Sequence, residues 1–186
     1  VKVGEKFWVR ASASDPDGDS LSYMWDIGPA TINGDDNGDR SLDGKKNGKL
    51  WYDKEYKNTN QEIEVVVTDT YGNENGDAKI IRVLPPEIDA RMQIDGQLKV
   101  NRKITLKDIS NTPEKYGVKT RKWTVTPVTS SGTTASDIKH SGNWTSVSKD
   151  LVFIKEGEYK ITLEVENHAN YKDTIDKIIT IKPDLP

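Results

Sequence analysis

Residues 157–167 read GEYKITLEVEN, and apolar and polar side chains alternate along the whole stretch. The apolar positions are Tyr159, Ile161, Leu163 and Val165. Residues 61–69, QEIEVVVTD, alternate in the same way through Ile63, Val65 and Val67. A period of two over this length is typical of half-buried antiparallel strands, because successive strand side chains point to opposite faces. The two stretches therefore predict an all-β chain.

Both stretches belong to an internal repeat. Five residues of the first half recur 98 residues later: Trp25, Pro29, Val67, Val83 and Pro85 become Trp123, Pro127, Val165, Ile181 and Pro183. At an offset of 97, residues 1–9 (VKVGEKFWV) match residues 98–106 (LKVNRKITL). Because the same spacings recur over most of each half, we interpret the chain as two tandem copies of one unit.

The joint between the copies lies at Pro85-Pro86, because two adjacent prolines cannot continue a central strand. We therefore expect one domain over residues 1–85 and a second over residues 86–186. The second copy carries a lead-in, PEIDARMQIDGQ (86–97), with no counterpart in the first copy. The first strand of copy one either precedes Val1 in a longer protein or is dispensable. The strand-like opening of the chain favours a fragment of a longer protein.

The remaining patterns predict the fold class. Further strands are expected at Phe7–Ala13, Leu21–Ile27, Ile80–Leu84, Ile104–Leu106, Lys119–Val125 and Lys177–Ile181. About seven short strands per copy, with one early Trp in each, predict two tandem immunoglobulin-like antiparallel β-sandwiches. Trp25 and Trp123 are expected in the cores. Tyr159 stands where sandwiches often tie a corner to the backbone, whereas its counterpart in copy one is Gln61.

Composition excludes several classes of function. A net charge of -3 gives no basic surface for nucleic acid, and the absence of cysteine removes disulfides and thiolate chemistry. No stretch approaches the ~18 apolar residues that span a bilayer. His140 and His168 lie in different polar stretches without metal-motif spacing or a partnered nucleophile. We therefore expect no catalytic activity, no nucleic-acid partner and no membrane insertion.

Copy one contains two distinctive motifs, DPDGDSLSYMWDIG (15–28) and VTDTYGN (67–73). Together they resemble the motifs of the polycystic-kidney-disease-type (PKD) domain. Copy two keeps Trp123 and GEYKITLEVEN but has Asn167 in place of the Asp, so it resembles a more distant PKD-like or bacterial Ig-like domain. The resemblance implies a β-sandwich of spacer, adhesion or substrate-contact type, and calcium held between the early and late loops, as in some PKD-type domains.

The acidic loop residues allow two interpretations. A Ca²⁺ site would use Asp15, Asp17 and Asp69, with Asp19 as a less certain ligand, because Ca²⁺ takes several oxygen ligands. The alternative is a tight turn, because Pro, Gly and Asp are also good turn residues. An EF-hand fails: counting from Asp15, Ser20 stands at the position that requires Gly. A second acidic stretch, residues 32–48, carries Asp35, Asp36, Asp39 and Asp43 and is expected to be a long polar insertion between strands, or a small hairpin.

Aromatic residues suggest a ligand-binding surface. Trp8, Trp51 and Tyr52 are candidate ligand-contacting residues, since exposed aromatic rings stack on sugars or anchor protein partners. Tyr56 lies in the same aromatic cluster as Trp51 and Tyr52, and Trp144 lies in the stretch SGNWTS. The alternative is that these rings close the ends of the sandwiches.

Three functions follow. The leading one is a non-catalytic extracellular or cell-surface spacer and adhesion pair of a larger bacterial protein. Its partners would be neighbouring domains of the same polypeptide, and a polysaccharide or surface protein. The alternative is a carbohydrate-binding accessory module of a secreted hydrolase. A phage decoration domain uses the same fold and stays open.

Overall fold

The computed structural model describes residues 1–32, 42–128 and 132–184. The chain divides into two compact units. The first comprises Val1–Pro86 with Pro113–Lys115, and the second comprises Glu87–Thr112 with Tyr116–Pro186.

The first unit contains six strands among its described residues. They are β1 (Phe7–Arg10), β2 (Ser22–Asp26), β3 (Thr31–Ile32), β4 (Asn47–Trp51), β5 (Thr59–Thr68) and β6 (Glu74–Val83). One sheet has the order β1-β4-β3 and the other the order β2-β5-β6, with antiparallel neighbours throughout. A single 3₁₀ turn, Lys54–Tyr56, connects the two sheets between β4 and β5.

The second unit contains seven strands in its described part. They are β7 (Met92–Gly96), β8 (Lys103–Asp108), β9 (Val118–Pro127), β10 (Ile138–His140), β11 (Ser148–Phe153), β12 (Gly157–Asn167) and β13 (Lys172–Ile181). The sheets have the orders β10-β11-β8-β7 and β13-β12-β9, again antiparallel. A 3₁₀ turn, Ala135–Asp137, precedes β10.

The sheet orders confirm the predicted fold class. Four strands against three, in the order of the second unit, is the arrangement of immunoglobulin constant-type sandwiches. The described residues of the first unit repeat this arrangement without a strand equivalent to β7. In the second unit the two sheets enclose one core, because buried Leu106 and Leu151 from one sheet cluster with Trp123, Ile161 and Leu163 from the other.

Strand register shows that the repeat is structural. Trp25 lies opposite Val65, and Trp123 lies opposite Leu163. The parallel bridge between Lys2 and Leu84 recurs between Lys99 and Lys182. The sequence offset therefore marks equivalent places in two copies of one fold.

Both early tryptophans occupy core positions and use their polar atom. Trp123 is 1% exposed, and its Nε1 donates to the Ser146 carbonyl at 2.9 Å. Trp25 is half-buried and packs against Leu42, Leu50 and Ile63, while its Nε1 donates to the Lys45 carbonyl at 2.8 Å. Each indole thus fills its core and fastens the loop before β4 or β11.

The predicted corner is present in the second unit. Tyr159 is 0% exposed, and its hydroxyl donates to the Lys155 carbonyl at 3.0 Å. In the first unit the counterpart Gln61 instead donates through Nε2 to Thr59 Oγ1 at 2.9 Å. Gln61 therefore makes a local contact where Tyr159 ties a corner.

The acidic stretch 32–48 is not a polar insertion throughout. Leu42 is 3% exposed in the core, Asp43 Oδ1 accepts the Trp25 amide at 2.9 Å, and β4 begins at Asn47. The prediction missed this because burial of Leu42 depends on a partner strand far away in sequence. Asp35, Asp36 and Asp39 lie outside the described residues.

Candidate functional site: a cavity beside Asp15 and Asp69

A cavity of about 440 Å³ opens in the first unit. One wall is the extended segment of residues 10–15, which follows β1. The other includes Val65 and Val67 of β5, Asp69, and residues 73–77 at the start of β6. The strand arrangement thus brings the early and late acidic loops to one place, as the sequence predicts for Asp15 and Asp69.

Asp15 closes the turn that follows it. Its Oδ1 accepts the amide of Asp17 at 2.9 Å and that of Asp19 at 3.1 Å. Gly18 has φ +83°, a conformation that other residues adopt at a cost, so the Asp-Pro-Asp-Gly order suits this turn. Asp17 is exposed and Asp19 half-buried, and neither lines the cavity.

Asp69 closes the β5–β6 hairpin in the same manner. Its Oδ1 accepts the amides of Tyr71 and Asn73, both at 2.8 Å, and its Oδ2 accepts Asn73 Nδ2 at 2.7 Å. The hydrogen bonds from Asn73 hold the pKa of Asp69 below its usual value. The carboxylate is therefore already bound by groups of its own turn.

Asn167 is the counterpart of Asp69 in the second unit. Its Oδ1 accepts the amides of Ala169 and Tyr171, both at 3.0 Å. The Asn167 oxygen thus accepts the amides two and four residues ahead, as the Asp69 oxygen does. Because a neutral amide does the same work, closing this hairpin needs an oxygen and not a charge.

The described acidic residues do not form a preformed metal site. Across the described ranges, no group of three or more His, Cys, Asp or Glu side chains is placed to hold a metal ion. The structure brings Asp15 and Asp69 to one cavity and leaves Asp17 and Asp19 outside it. The calcium site therefore stays a prediction.

The three candidate aromatic residues have different environments. Tyr52 is 0% exposed and stacks on Phe7 with 5.6 Å between ring centroids, and burial raises its pKa to about 12. Trp8 is 63% exposed, with Lys49 Nζ 5.8 Å from its ring centroid. Trp51 is half-buried.

Trp8 and Trp51 share the outer face of the β1–β4 pair. Trp8 lies opposite Lys49, and Trp51 follows Lys49 by two residues on the same strand. Leu50 between them is buried in the core. The structure thus brings two of the three predicted ligand-contacting residues to one face and places Tyr52 inside.

Lys149 is a buried polar residue that sequence patterns did not reveal. It is 2% exposed, and its Nζ donates to the carbonyls of Ser141 and Gly142, both at 3.0 Å. The ammonium lies 4.2 Å from the Trp144 ring centroid, and desolvation lowers its pKa. Trp144, a weak candidate for ligand contact, therefore packs with Lys149 and the core. The only sequence signal for the burial of Lys149 is that this residue lies in the stretch that follows SGNWTS and forms β11.

No helix in the described parts of the chain has the length and apolar character that crossing a bilayer requires.

Comparisons with known proteins show only distant structural similarity. No family model matches the chain, and no curated protein matches it. The PKD1 domain of the Vibrio cholerae metalloprotease PrtV is 17% identical, with TM-score 0.37 over 52% of this chain and 98% of that one. The human desmocollin-1 ectodomain is 14% identical, with TM-score 0.38, and the match covers all of this chain and 34% of that one.

Fibronectin(III)-like modules of CbhA from Clostridium thermocellum are 10% identical, with TM-score 0.32 over 98% of this chain and 88% of that one. Cadherin-domain and Ig-containing structures also match. The structures that this chain is similar to thus include PKD, cadherin, fibronectin III-like and Ig-containing domains. All of these matches have TM-scores below 0.5, and none of them identifies a ligand.

Proposed function

We propose that the chain is a pair of non-catalytic modules, residues 1–85 and 86–186, of an extracellular or cell-surface bacterial protein. Their work is to space and stiffen neighbouring domains of the same polypeptide or to take part in adhesion to a polysaccharide or surface protein.

The observation that carries this proposal is the path of the chain through the second unit. Near its start, the Ala90 amide donates to Asp173 Oδ2 at 2.8 Å, at the beginning of β13. At its end, Lys182 bridges to Lys99 beyond the last residue of β13. Ten strand residues span about 30 Å. The chain therefore enters at one end of the module and leaves at the other, as a spacer in series requires.

Local fastening supports a stiff module. In the second unit, Trp123 and Tyr159 bond to loop carbonyls, Asn167 closes a hairpin, and Lys149 holds the 141–142 turn. Each contact restrains a loop or turn that connects two strands. Such connections are otherwise the most mobile parts of a β-sandwich.

The spacing can be measured with spin labels at Glu87→Cys and Lys182→Cys, because the chain has no native cysteine. We expect one narrow distance distribution centred near ~30 Å plus the label arms. The matched control pair, Glu87→Cys with Lys172→Cys, should give a much shorter distance. A broad distribution for the first pair, in a sample whose control pair is narrow, would contradict the spacer proposal.

A second candidate function is carbohydrate binding as an accessory module of a secreted hydrolase. The observation that favours it is the common outer face of Trp8 and Trp51, since two aromatic rings on one face can contact successive sugar rings. A carbohydrate would bind there without any contribution from buried Tyr52.

Calcium binding to the first module is a finer proposal. Its support is that Asp15 and Asp69 line one cavity. Bound calcium would stabilise the module because it would bind the folded state alone.

A further inference from the structure

The outer face of the β2-β5-β6 sheet in the first unit carries an apolar row across its three strands. Met24 of β2 lies opposite Val66 of β5, and Val66 lies opposite Gly76 of β6. Met24 is 65% exposed, whereas the preceding residue, Tyr23, is 4% exposed in the core. Because successive strand side chains point to opposite faces, Met24 and Val66 point away from the core. The apolar row Met24-Val66-Gly76 therefore faces solvent.

Three carboxylates lie on the same face beside the apolar row. Asp26 lies directly opposite Glu64, Glu62 lies two residues before Glu64 on β5, and all three are exposed. Among the residues that the structure describes, none of the three has a cationic partner within ion-pair distance. Arg82 is the one cation at the described strand positions of this face. Since like charges directly opposite each other destabilise a sheet, this charge arrangement costs stability.

The second unit carries an ion pair where the first unit has the apolar row. By the repeat offset, Met24 and Val66 correspond to Lys122 and Glu164. Lys122 lies opposite Glu164, and its Nζ is 3.3 Å from Glu164 Oε2. The first unit thus has two apolar side chains at strand positions that hold opposite charges in the second.

A second ion pair is absent from the first unit in the same way. Glu62 and Ala78 correspond to Lys160 and Asp176. The Lys160 Nζ lies 2.7 Å from Asp176 Oδ2. The first unit therefore has a carboxylate in place of the lysine and an alanine in place of its partner.

The comparison isolates what is particular to the first unit. An exposed isoleucine is common to both units, since Ile80 is 70% and Ile178 is 59% exposed. The fold accepts a neutralised face at these positions, so it does not require the apolar row or the unpaired carboxylates. Residues that depart from local rules without a structural need are expected at functional sites. We call the face that joins Met24, Val66, Asp26, Glu62 and Glu64 the acidic face.

We propose that the acidic face docks a polypeptide segment of a partner protein, and that this segment combines lysine or arginine side chains with an aliphatic one. The occupant follows from charge complementarity, because carboxylates without a cation favour a basic partner, and the apolar row favours an aliphatic contact. A second copy bound through the same face would bring like charges together. The acidic face lies on the sheet opposite the β1–β4 pair, and the proposal depends on neither candidate function.

The second unit supplies variants that test the acidic face. Met24→Lys with Val66→Glu introduces one of its ion pairs, and Glu62→Lys with Ala78→Asp introduces the other. Both grafted chains should fold, because the same side chains occupy the same strand positions in the second unit. Their melting curves check this directly.

Two single substitutions complete the set. Glu64→Gln removes one charge from the acidic face and nearly keeps the shape of the side chain. Glu55→Gln is the matched control, because Glu55 is exposed in the 3₁₀ turn after β4 and lies off the acidic face.

A random peptide library displayed on phage is the probe, because the partner is defined by its chemistry. The library is selected on the 186-residue chain and counter-selected on a chain that carries both grafted pairs. Enriched peptides are synthesised with a fluorescent label and titrated into each variant by fluorescence anisotropy.

We expect the enriched peptides to combine Lys or Arg with aliphatic residues. Their affinity should fall at least about tenfold in either grafted chain and about threefold in Glu64→Gln, and should stay within about twofold in Glu55→Gln. Added salt should weaken binding, because it screens exposed charges.

Four results would overturn the proposal. The first is no enrichment over the starting library, and the second is enrichment of peptides without basic residues. The third is equal affinity for the wild-type chain and folded grafted chains; if a grafted chain does not fold, equal affinity for Glu64→Gln has the same weight. The fourth is self-association of the wild-type chain that the grafted pairs abolish in analytical ultracentrifugation, which would replace the partner protein by a second copy.

Discussion

Asp69 and Asn167 make the same pair of hydrogen bonds, each accepting the backbone amides two and four residues ahead with one side-chain oxygen. One residue is charged and the other neutral, yet both begin the last hairpin of their unit. The shared geometry assigns the side chain to closing a turn.

This equivalence predicts the effect of two substitutions at one position. Asp69→Asn should lower the melting temperature of the first unit only slightly, because the amide oxygen can accept both backbone bonds and only the bond from Asn73 Nδ2 is lost. Asp69→Ala should lower it clearly, because two amides lose their acceptor. Differential scanning calorimetry in chelator measures both. Equal loss in the two variants would show that the charge matters more than the oxygen.

The corresponding change in the second unit has a larger expected cost. Asn167 is 0% exposed, so Asn167→Ala leaves polar groups unpaired in the interior. We expect the free energy of unfolding to fall by about 1–3 kcal/mol in urea denaturation. Thr112→Val is the control for the separate bond that Asn167 Nδ2 donates to Thr112 Oγ1. A loss from Thr112→Val as large as that from Asn167→Ala would assign the effect to Thr112.

Calcium addition tests the metal proposal. If calcium binds between the acidic loops, millimolar calcium should raise the melting temperature above that in chelator, and Asp15→Asn should reduce the rise. Asp17→Ala tests the exposed carboxylate separately. If the wild-type chain melts identically in calcium and in chelator, the calcium proposal is wrong and the acidic residues only close turns.

The ion pair of Asp108 and Arg121 predicts acid sensitivity of the second unit. Asp108 has a 2% exposed side chain, 2.9 Å from Arg121 Nε. Burial alone would raise the pKa of Asp108, but hydrogen bonds from Ser110 and Arg121 outweigh it and lower the pKa. Because the folded state holds the ionised form, stability is present above the unfolded pKa of about 3.9 and falls as pH drops through the lower folded value.

Replacing the carboxylate should remove that dependence. Asp108→Asn should cost about 3 kcal/mol at neutral pH, because it leaves the Arg121 charge without its partner, and should flatten the stability curve below about pH 4. Urea titrations at several pH values measure this. The first unit has Ala11 at the equivalent position and therefore lacks this carboxylate. If stability falls with decreasing pH as steeply in Asp108→Asn as in the wild-type chain, other carboxylates cause the acid sensitivity.

The outer aromatic face predicts which substitutions affect carbohydrate binding. If a polysaccharide binds there, Trp8→Ala and Trp51→Ala should each weaken binding by about 1–2 kcal/mol in pull-down or calorimetric titration. Tyr71→Ala is the control, because Tyr71 is 82% exposed but lies in the β5–β6 turn and not on the outer face of the β1–β4 pair. Equal loss in all three variants would argue for non-specific adsorption.

Local patterns predicted the long strands well. β5 and β12 were recognised because alternation over ten or eleven residues is a property of adjacent positions. The strands β3, β4, β7, β10 and β11 were not individually predicted. They have two to six residues each, too few for a period of two to stand out.

The candidate site was predicted in part. Asp15 and Asp69 line one cavity because sandwich topology brings the early and late loops to one end, and their role as metal ligands stays a prediction. The sequence could not show that the carboxylate oxygens accept hydrogen bonds from their own turns, because Asp is common both in tight turns and among calcium ligands. Tyr52 and Lys149 show a further limit, since their burial depends on strands distant in sequence.

The sequence by itself determined the alternation, the repeat, the core tryptophans and the turn chemistry, since each depends on neighbouring residues or on comparison of one half with the other. Only the tertiary structure decided that Leu42 is core, that Tyr52 is inside and Trp8 outside, and that the first unit has a cavity where the second has a strand. The physical reason is that the burial of a side chain depends on which segments, distant in sequence, pack against it.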